Sequence, residues 1–294
     1  AFATTVHGYE GSGRGFALRF RDVLDRQAPH WRELTLQTPI RWSTGDPLEA
    51  LIQRLLLLDA PLPDVAPLPR ELPASVVLSQ AQLVSQDARL EKLFGLLVQS
   101  HYRTTPSDLR QLLDGPGTGL RMLPSRDGDD PQAVLVTREE GGFEPELANQ
   151  VARGERRPQG HLLAQSLAAH GGSRAALIAR WRRVARIATH PQRRREGLGR
   201  QLLEEDIDSA TQQGLSLYGA TFGAEASLLR FWLALGFVPV RLGMTREAAT
   251  GEYAVMVARA LNPEGHAVLG ALRSGFAASL PSLLAFELAA LPAS

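Results

Sequence analysis

The sequence predicts an α/β fold, on three observations. Short runs that alternate apolar and polar residues, as strands do, interleave with longer runs of helical spacing. One alternating run, residues 183–189, passes through Pro191 and a glycine loop straight into a helical pattern. A chain of 294 residues with 44% apolar content also supplies a core for one or two domains.

In chain order, residues 2–7 alternate like a strand and enter a turn with four glycines, Gly8, Gly11, Gly13 and Gly15. Arg14 sits in that turn, where a guanidinium can grip a phosphate bidentately; the same composition also makes a plain flexible loop. Residues 16–24 have helical spacing and 33–36 read as a short strand. Residues 47–58 read as a helix capped from 43–46, with Pro47 at its first position. Residues 60–73 hold five prolines and read as a connector and domain boundary. Beyond it 75–78 is strand-like, and 87–101 is a helix with Leu90, Leu93, Phe94, Leu97 and Val98 on one face. Thr105 caps a second helix that starts with Pro106, buries Leu109, Leu112 and Leu113, and stops at Gly115-Pro116-Gly117.

Residues 120–123 and 132–138 read as two antiparallel strands joined by a polar turn. Residues 144–153 are a short helix, and 156–172 a polar segment rich in His and Gln. After the central strand, Leu198, Leu202, Leu203 and Ile207 mark a helix. A strand over 214–219, a helix over 226–235 and strands over 237–242 and 253–260 follow, and 262–294 read as a helical tail. The opening at Ala1 in strand-like residues is that of a piece of something longer.

The most informative stretch is 183–200. Val184, Arg186 and Ala188 alternate with Ala185, Ile187 and Thr189, and Pro191, which has no N–H for a ladder, ends the strand. Gly197 and Gly199 then open a helix, so free N–H groups meet the positive end of its dipole where no Cβ obstructs an anion. A phosphate site is one reading; a helix capped by a glycine turn is the other. The chain has no G-x-x-x-x-G-K-[ST] loop and no G-x-G-x-x-G fingerprint, which sets those two nucleotide-binding classes aside.

Net charge is +1, from 31 acids and 32 basic residues of which Lys92 is the single lysine. Residues 150–200 hold twelve Arg against two acids, Glu155 and Glu196. Such a field suits polyanions, a phosphate-bearing cofactor or RNA, and is also that of a solvated Arg-rich face. The absence of cysteine excludes disulfides and thiolate metal sites. No apolar run is read as membrane-spanning and no signal peptide is recognised, so the expectation is a cytoplasmic protein without a membrane partner.

The spacing Arg-x-x-Gly-x-Gly after a strand resembles the acetyl-CoA pyrophosphate loop of the GNAT superfamily of N-acetyltransferases. Longer strings are similar to one family, the bacterial tRNA(Met) cytidine acetyltransferases. They are TTVHGYEGSGRGF at 4–16, PIRW at 39–42, SHYRTTPSDLRQLLDGPG at 100–117, RRPQGHLLAQSLAAH at 156–170, RIATHPQRRREGLGRQLL at 186–203 and LLRFWLALGFVPVRLGMTREAATGEYAVMV at 228–257. The resemblance implies a GNAT fold, a mixed and mostly antiparallel sheet with flanking helices, preceded by the C-terminal part of a RecA-like helicase domain. Residues 1–62 would be that remnant, 63–74 the connector, 75–262 the GNAT domain and 263–294 a truncated tail. The helicase module's lysine loop would lie upstream, so ATP belongs to the full-length family, with Arg14 as an orphan nucleotide contact. Acetyl-CoA contacts carry over to Ile187, Ala188 and Thr189 on the strand and to Arg194, Arg195, Glu196, Gly197, Leu198, Gly199 and Arg200 in the loop. Two positions depart from the family: Ala226-Ser227 stand where Pro-Glu is common, and Ala234 where a basic residue often follows. Both weaken the expected hold on acetyl-CoA unless Glu225 substitutes.

The implied reaction moves an acetyl group from acetyl-CoA to N4 of the wobble cytidine of elongator tRNA(Met). That amine is delocalised into its ring, so a base must take its proton as the tetrahedral intermediate forms, and donors must hold the oxyanion. His101 is the first candidate base, with Tyr102 beside it to protonate the leaving thiolate or orient the base; a helix-capping role is the bland alternative. His190 is the second candidate base or a turn residue. His161 and His170 fit substrate binding. A backbone N–H of residues 187–189 would hold the oxyanion. Arg153, Arg156, Arg157, Arg182 and Arg183 are candidate contacts to tRNA phosphates, and Trp181 either stacks on a base or covers core. Two other functions fit part of the pattern: a GNAT enzyme acting on protein or small-molecule amines, and a non-catalytic tRNA-binding fragment.

Overall fold

Seven strands, β1 (Val76–Val77), β2 (Thr118–Pro124), β3 (Pro131–Gly141), β4 (Arg180–Thr189), β5 (Leu217–Gly223), β6 (Val238–Arg246) and β7 (Tyr253–Ala260), hydrogen-bond in the order β1-β2-β3-β4-β5-β7-β6 in a computed structural model. The structure describes residues 21–291 except 29, 35, 37, 39, 41, 42, 59, 66–71, 101–104, 127–129 and 248–250. The predicted strand over 2–7, the turn with Arg14, and His101 with Tyr102 lie outside the described residues.

Strand β1 is antiparallel to β2, and β7 is antiparallel to both β5 and β6. The ends of β2 and β3 are tied as in a hairpin, Ser125 N–H to the Asp130 carbonyl and Glu139 N–H to the Gly117 carbonyl. Strands β4 and β5 are parallel, and parallel neighbours require a crossover. Helix α9 (Leu198–Gln212) supplies it, after α1 (Arg21–Gln27), α2 (Pro47–Leu55), α3 (Gln80–Val84), α4 (Asp87–Ser100), α5 (Pro106–Asp114), α6 (Pro145–Ala152), α7 (Leu162–Gly171) and α8 (Arg174–Ile178). Helices α10 (Ala226–Ala234) and α11 (Pro263–Ala285) follow. The mixed, mostly antiparallel sheet with flanking helices is the one predicted.

The described residues gather into two compact units. One takes the chain up to Pro116 with Leu120–Val134 and Arg186–Gly199; the other takes Gly117–Gly119, Leu135–Ala185 and the chain from Arg200 on. In the first unit the amphipathic faces of α4 and α5 bury Leu93, Phe94, Leu96, Leu97, Leu109 and Leu112. Helix α5 starts where it does because the Thr105 N–H and hydroxyl both donate to Asp108 Oδ2, at 2.7 and 2.9 Å. In the second unit, Trp181 is fully buried among Leu163 and Leu167 of α7, Leu217, Met256, and Val268 and Leu272 of α11. Its indole N–H donates to the Ala176 carbonyl at 2.8 Å. Of the two readings of Trp181, covering core is therefore the one realised.

Three expectations are corrected. Glu33, Leu34 and Leu36 form no strand, and Leu34 and Leu36 stand exposed. Residues 156–172 are not merely polar: α7 spans their second half and buries Leu163, Ala164, Leu167 and Ala168. Lastly, α11 is long and apolar enough to cross a membrane by length and composition. Its apolar character is spread over small residues such as Ala267, Ala271, Ala277 and Ala278, and Glu264 and Arg273 are its only charges. Within the unit its buried residues are Gly265, Val268 and Leu272.

Candidate functional site

The strand that leads to the glycine loop buries Val184 and Ala188 and leaves Ile187 and Thr189 half-buried, as its alternation requires. Its ladder with β5 covers Trp181–Val184 against Leu217–Ala220, and β4 runs on to Thr189 past the end of that ladder. A 3₁₀ turn, Pro191–Arg193, follows. The backbone then takes a left-handed step at Arg195 (φ 69°), and another positive φ at Gly197 (86°), before Leu198 opens α9. Alternating positive and negative φ turns successive N–H groups toward one side, the geometry of an anion-binding nest. A non-glycine residue at φ 69° is uncommon and costs about 1 to 2 kcal/mol. At Gly197 space is not the constraint, since a Cβ there would meet no atom within 4 Å; the torsion is. At Gly199 a Cβ would lie 3.6 Å from Ile187 Cδ1 and Thr189 Oγ1, so the helix start packs on the strand.

The charges around the loop are graded. Arg193 pairs with Glu196 at 3.4 Å, and Arg200 with Glu204 at 2.8 Å. Arg194 and Arg195 are exposed, and the first turn of α9 carries no acid. A positive helix end with two exposed guanidiniums favours a phosphate-bearing ligand.

His190 is 2% exposed and its ring is committed to backbone partners. Nδ1 accepts the Gln192 N–H at 3.2 Å, and the ring is hydrogen-bonded to the Pro63 carbonyl. Burial holds its pKa below the usual value; Arg193 and Arg194 act the same way and the Pro63 bond opposes them. Of its two sequence readings, the turn residue is realised rather than the base. His161 caps α7, accepts the Gly141 N–H on Nδ1 at 3.0 Å, and meets Phe143 edge-on at 4.5 Å. Burial lowers its pKa against the pull of Glu140. His170, exposed at the end of α7, is lowered by burial and by repulsion from Arg241 and Arg157.

Two of the five arginines assigned to tRNA phosphates serve the protein instead. Arg182 is 7% exposed and bonds Glu139 (3.1 Å) and Gln213 (2.7 Å), with Asp206 at 3.5 Å. Arg183 pairs with Glu140, whose carboxylate is fully buried and also accepts the Leu163 and Ala164 N–H groups at 2.7 and 3.3 Å. Both guanidiniums leave β4 for carboxylates on β3, Glu139 and Glu140. Arg153 is exposed and shared with Glu155 at 2.8 Å; Arg156 and Arg157 are exposed. At α10, the Ser227 hydroxyl donates to Glu225, and both residues, like Ala234, are exposed.

Sequence reasoning missed three residues near these groups. Glu140 falls on the strand face of Val134 and Val136, an alternation that marks it as inward-facing but does not show that it meets the N-terminus of α7. Asp108 bonds Arg186 at 2.8 Å, tying the start of α5 to β4. Burial raises the Asp108 pKa, but Arg186 and Thr105 outweigh it and the carboxyl titrates below its usual value. Gln132, fully buried, carries no sequence signal at all.

A family model described as GNAT acetyltransferase 2 matches residues 92–212 and 202–262, and one described as RNA cytidine acetyltransferase NAT10/TcmA, helicase domain, matches residues 1–59. The tRNA(Met) cytidine acetyltransferase TmcA of Nitrosococcus halophilus is 46% identical over 288 residues, 97% of this chain and 38% of that protein. Those of Yersinia pestis and Vibrio cholerae are 39% and 40% identical over 90% and 88% of the chain, and 38% and 36% of their own lengths. The chain thus spans little more than a third of the curated relatives it matches. Among solved structures, one described as the NatC complex bound to Gag peptide and CoA aligns with 65% of the chain and 100% of its own at 13% identity, with a TM-score of 0.43. With more than half of its residues matched by the acetyltransferase model, the chain belongs to the GNAT acetyltransferase 2 family.

Proposed function

We propose that the chain carries the acetyl-transfer centre of a tRNA cytidine acetyltransferase, moving acetyl from acetyl-CoA to N4 of the wobble cytidine of elongator tRNA(Met). The observation that carries the reading is the loop from Arg194 to Arg200, with positive φ at Arg195 and Gly197 at the start of a helix without early acids. Its N–H groups and Arg194 and Arg195 would hold the pyrophosphate, and backbone N–H groups of Ile187, Ala188 or Thr189 the thioester oxygen. Acetyl-CoA supplies an activated acyl group. The protein must then take a proton from the amine and return one to the thiolate. His101 and Tyr102 are proposed for these roles on residue type and on the family string that holds them.

Residues 1–62 are proposed as the end of an ATP-dependent helicase module with Arg14 as its nucleotide contact, a reading supported by the match over 1–59. Residues 63–74 would connect it to a GNAT domain over 75–262, with 263–294 as a tail. For tRNA, Arg153, Arg156 and Arg157 remain the proposed phosphate contacts. Support comes from the surroundings of His170, whose pKa is lowered first by burial and then by repulsion from Arg241 and Arg157: guanidiniums gathered there favour an anion. A tRNA substrate makes the cytoplasm the proposed place of work.

Calorimetric titration with acetyl-CoA tests the reading, on the chain and on Gly197→Glu. Binding that the substitution abolishes supports the loop as the cofactor site and leads to an acetylation assay on tRNA(Met). Retained tRNA binding without acetyl-CoA binding would replace the reading with that of a tRNA-binding fragment.

A further inference from the structure

Residues 60–64 have the composition of a loose connector but the surroundings of a core segment. Ala60 is 1% exposed and Pro63 is buried. The Pro61 carbonyl lies over Gly95 of α4 so closely that a Cβ at 95 would come within 1.9 Å of its oxygen. The Pro63 carbonyl is bonded by the His190 ring, and the Asp64 carbonyl accepts from Gln132 Nε2 at 3.1 Å. Gln132 is fully buried, and its Oε1 finds no hydrogen-bond partner among the described residues. A buried amide with one atom unsatisfied is a poor choice for packing alone; what its other atom holds accounts for it.

The same two residues reach the glycine loop. The His190 N–H donates to the Gln132 carbonyl at 2.9 Å, and the His190 carbonyl accepts the Arg193 N–H at 2.8 Å. With Nδ1 accepting from Gln192 and the other ring nitrogen donating to Pro63, His190 is a neutral Nε2–H tautomer held between residues 60–64 and the first turn of the loop. Gln132 closes the triangle, its side chain on residue 64 and its main chain on residue 190.

We infer that residues 60–64 are a strut of the cofactor loop, and that His190 and Gln132 are positioning residues that turn its docking into the geometry of residues 191–199. The inference rests on the acetyl-CoA reading of that loop. The match to the helicase-domain model ends at residue 59, so the strut is the covalent step through which a displacement of the preceding residues reaches the cofactor loop. By linkage, acetyl-CoA binding tightens the strut by the factor that the strut tightens acetyl-CoA binding.

Hydrogen exchange read by mass spectrometry tests this on the whole chain, wild type against Gly95→Ala, which pushes on the Pro61 carbonyl without touching the loop, and Gln132→Leu, which frees Asp64 at similar side-chain volume. In either variant, amides of 60–65 and of 190–199 should lose protection together, by about tenfold, and acetyl-CoA affinity should fall about three- to tenfold. Saturating acetyl-CoA should protect 60–65 in the wild type. Faster exchange at 60–65 with 190–199 unchanged overturns the inference. Coupled exchange in a wild-type chain that does not bind acetyl-CoA supports the tie between the segments and overturns the cofactor reading alone. Gln132→Leu adds no steric conflict and carries the test if Gly95→Ala fails to fold.

Discussion

Replacing Gly197 by alanine separates torsion from space at the loop. No atom lies within 4 Å of the new methyl group, so the substitution meets no clash. It does place an L-residue at φ 86°, which costs about 1 to 2 kcal/mol. The chain has two ways to respond. If the loop keeps its shape, the cost appears as lost stability, a fall in melting temperature of about 2 to 8 °C. If the loop relaxes, stability is kept but the Leu198 and Gly199 N–H groups turn away. Acetyl-CoA affinity then falls by about five- to thirtyfold, the same energy expressed as a binding constant. The two losses, measured on one preparation by thermal denaturation and calorimetric titration, should sum to the torsional cost. A variant unchanged in both would refute the assignment of strain to Gly197, and with it the nest reading of the loop. Arg195→Gly is the complement: it relieves the left-handed step at φ 69°, so its stability should not fall, while loss of the guanidinium weakens acetyl-CoA binding.

Other consequences follow from the buried charges. Glu140→Ala leaves Arg183 half-buried without its partner and uncaps α7, so urea denaturation should show a loss of about 3 to 5 kcal/mol; a loss below about 1 kcal/mol would contradict the burial of the pair. His190, whose pKa is lowered chiefly by burial, binds fewer protons folded than unfolded in the range from its lowered value up to 6.5. Stability should therefore rise with pH across that window and level off above it, and His190→Gln should flatten the rise, with His161 and His170 supplying what remains. An unchanged slope in urea midpoints would show that the ring is not held neutral by the fold. For tRNA, replacing Arg156 and Arg157 together should reduce the dependence of log affinity on log salt by about two. Arg182→Met should lower the melting temperature and leave that slope alone; the reverse pattern would return Arg182 to the RNA surface.

What the sequence determined by itself is what nearby residues decide. Helices α4, α5 and α9 form from apolar spacing and caps that lie within a few positions, and Gly197 permits the loop's positive φ at 197, whereas the left-handed step at Arg195 carries no such mark. Strand β4 shows in its alternation, and the family strings single out the glycine loop proposed to hold acetyl-CoA. Helix α7 was illegible because Ala164 and Ala168, half of its buried face, carry too little hydrophobic signal to stand out beside His161, Gln165 and His170. Residues 33–36 show the opposite failure: a strand-like pattern cannot state whether a neighbour exists to pair with it. The roles of single charged or polar side chains needed the tertiary structure throughout. Arg182 and Arg183 look like surface cations until Glu139 and Glu140, 43 residues earlier, take them up. His190 looks like a base until Pro63 and Gln192 occupy its ring. Periodicity and torsion are local properties of a chain, whereas desolvation and hydrogen-bond partnership belong to residues brought together from far apart, and only folding decides which of them meet.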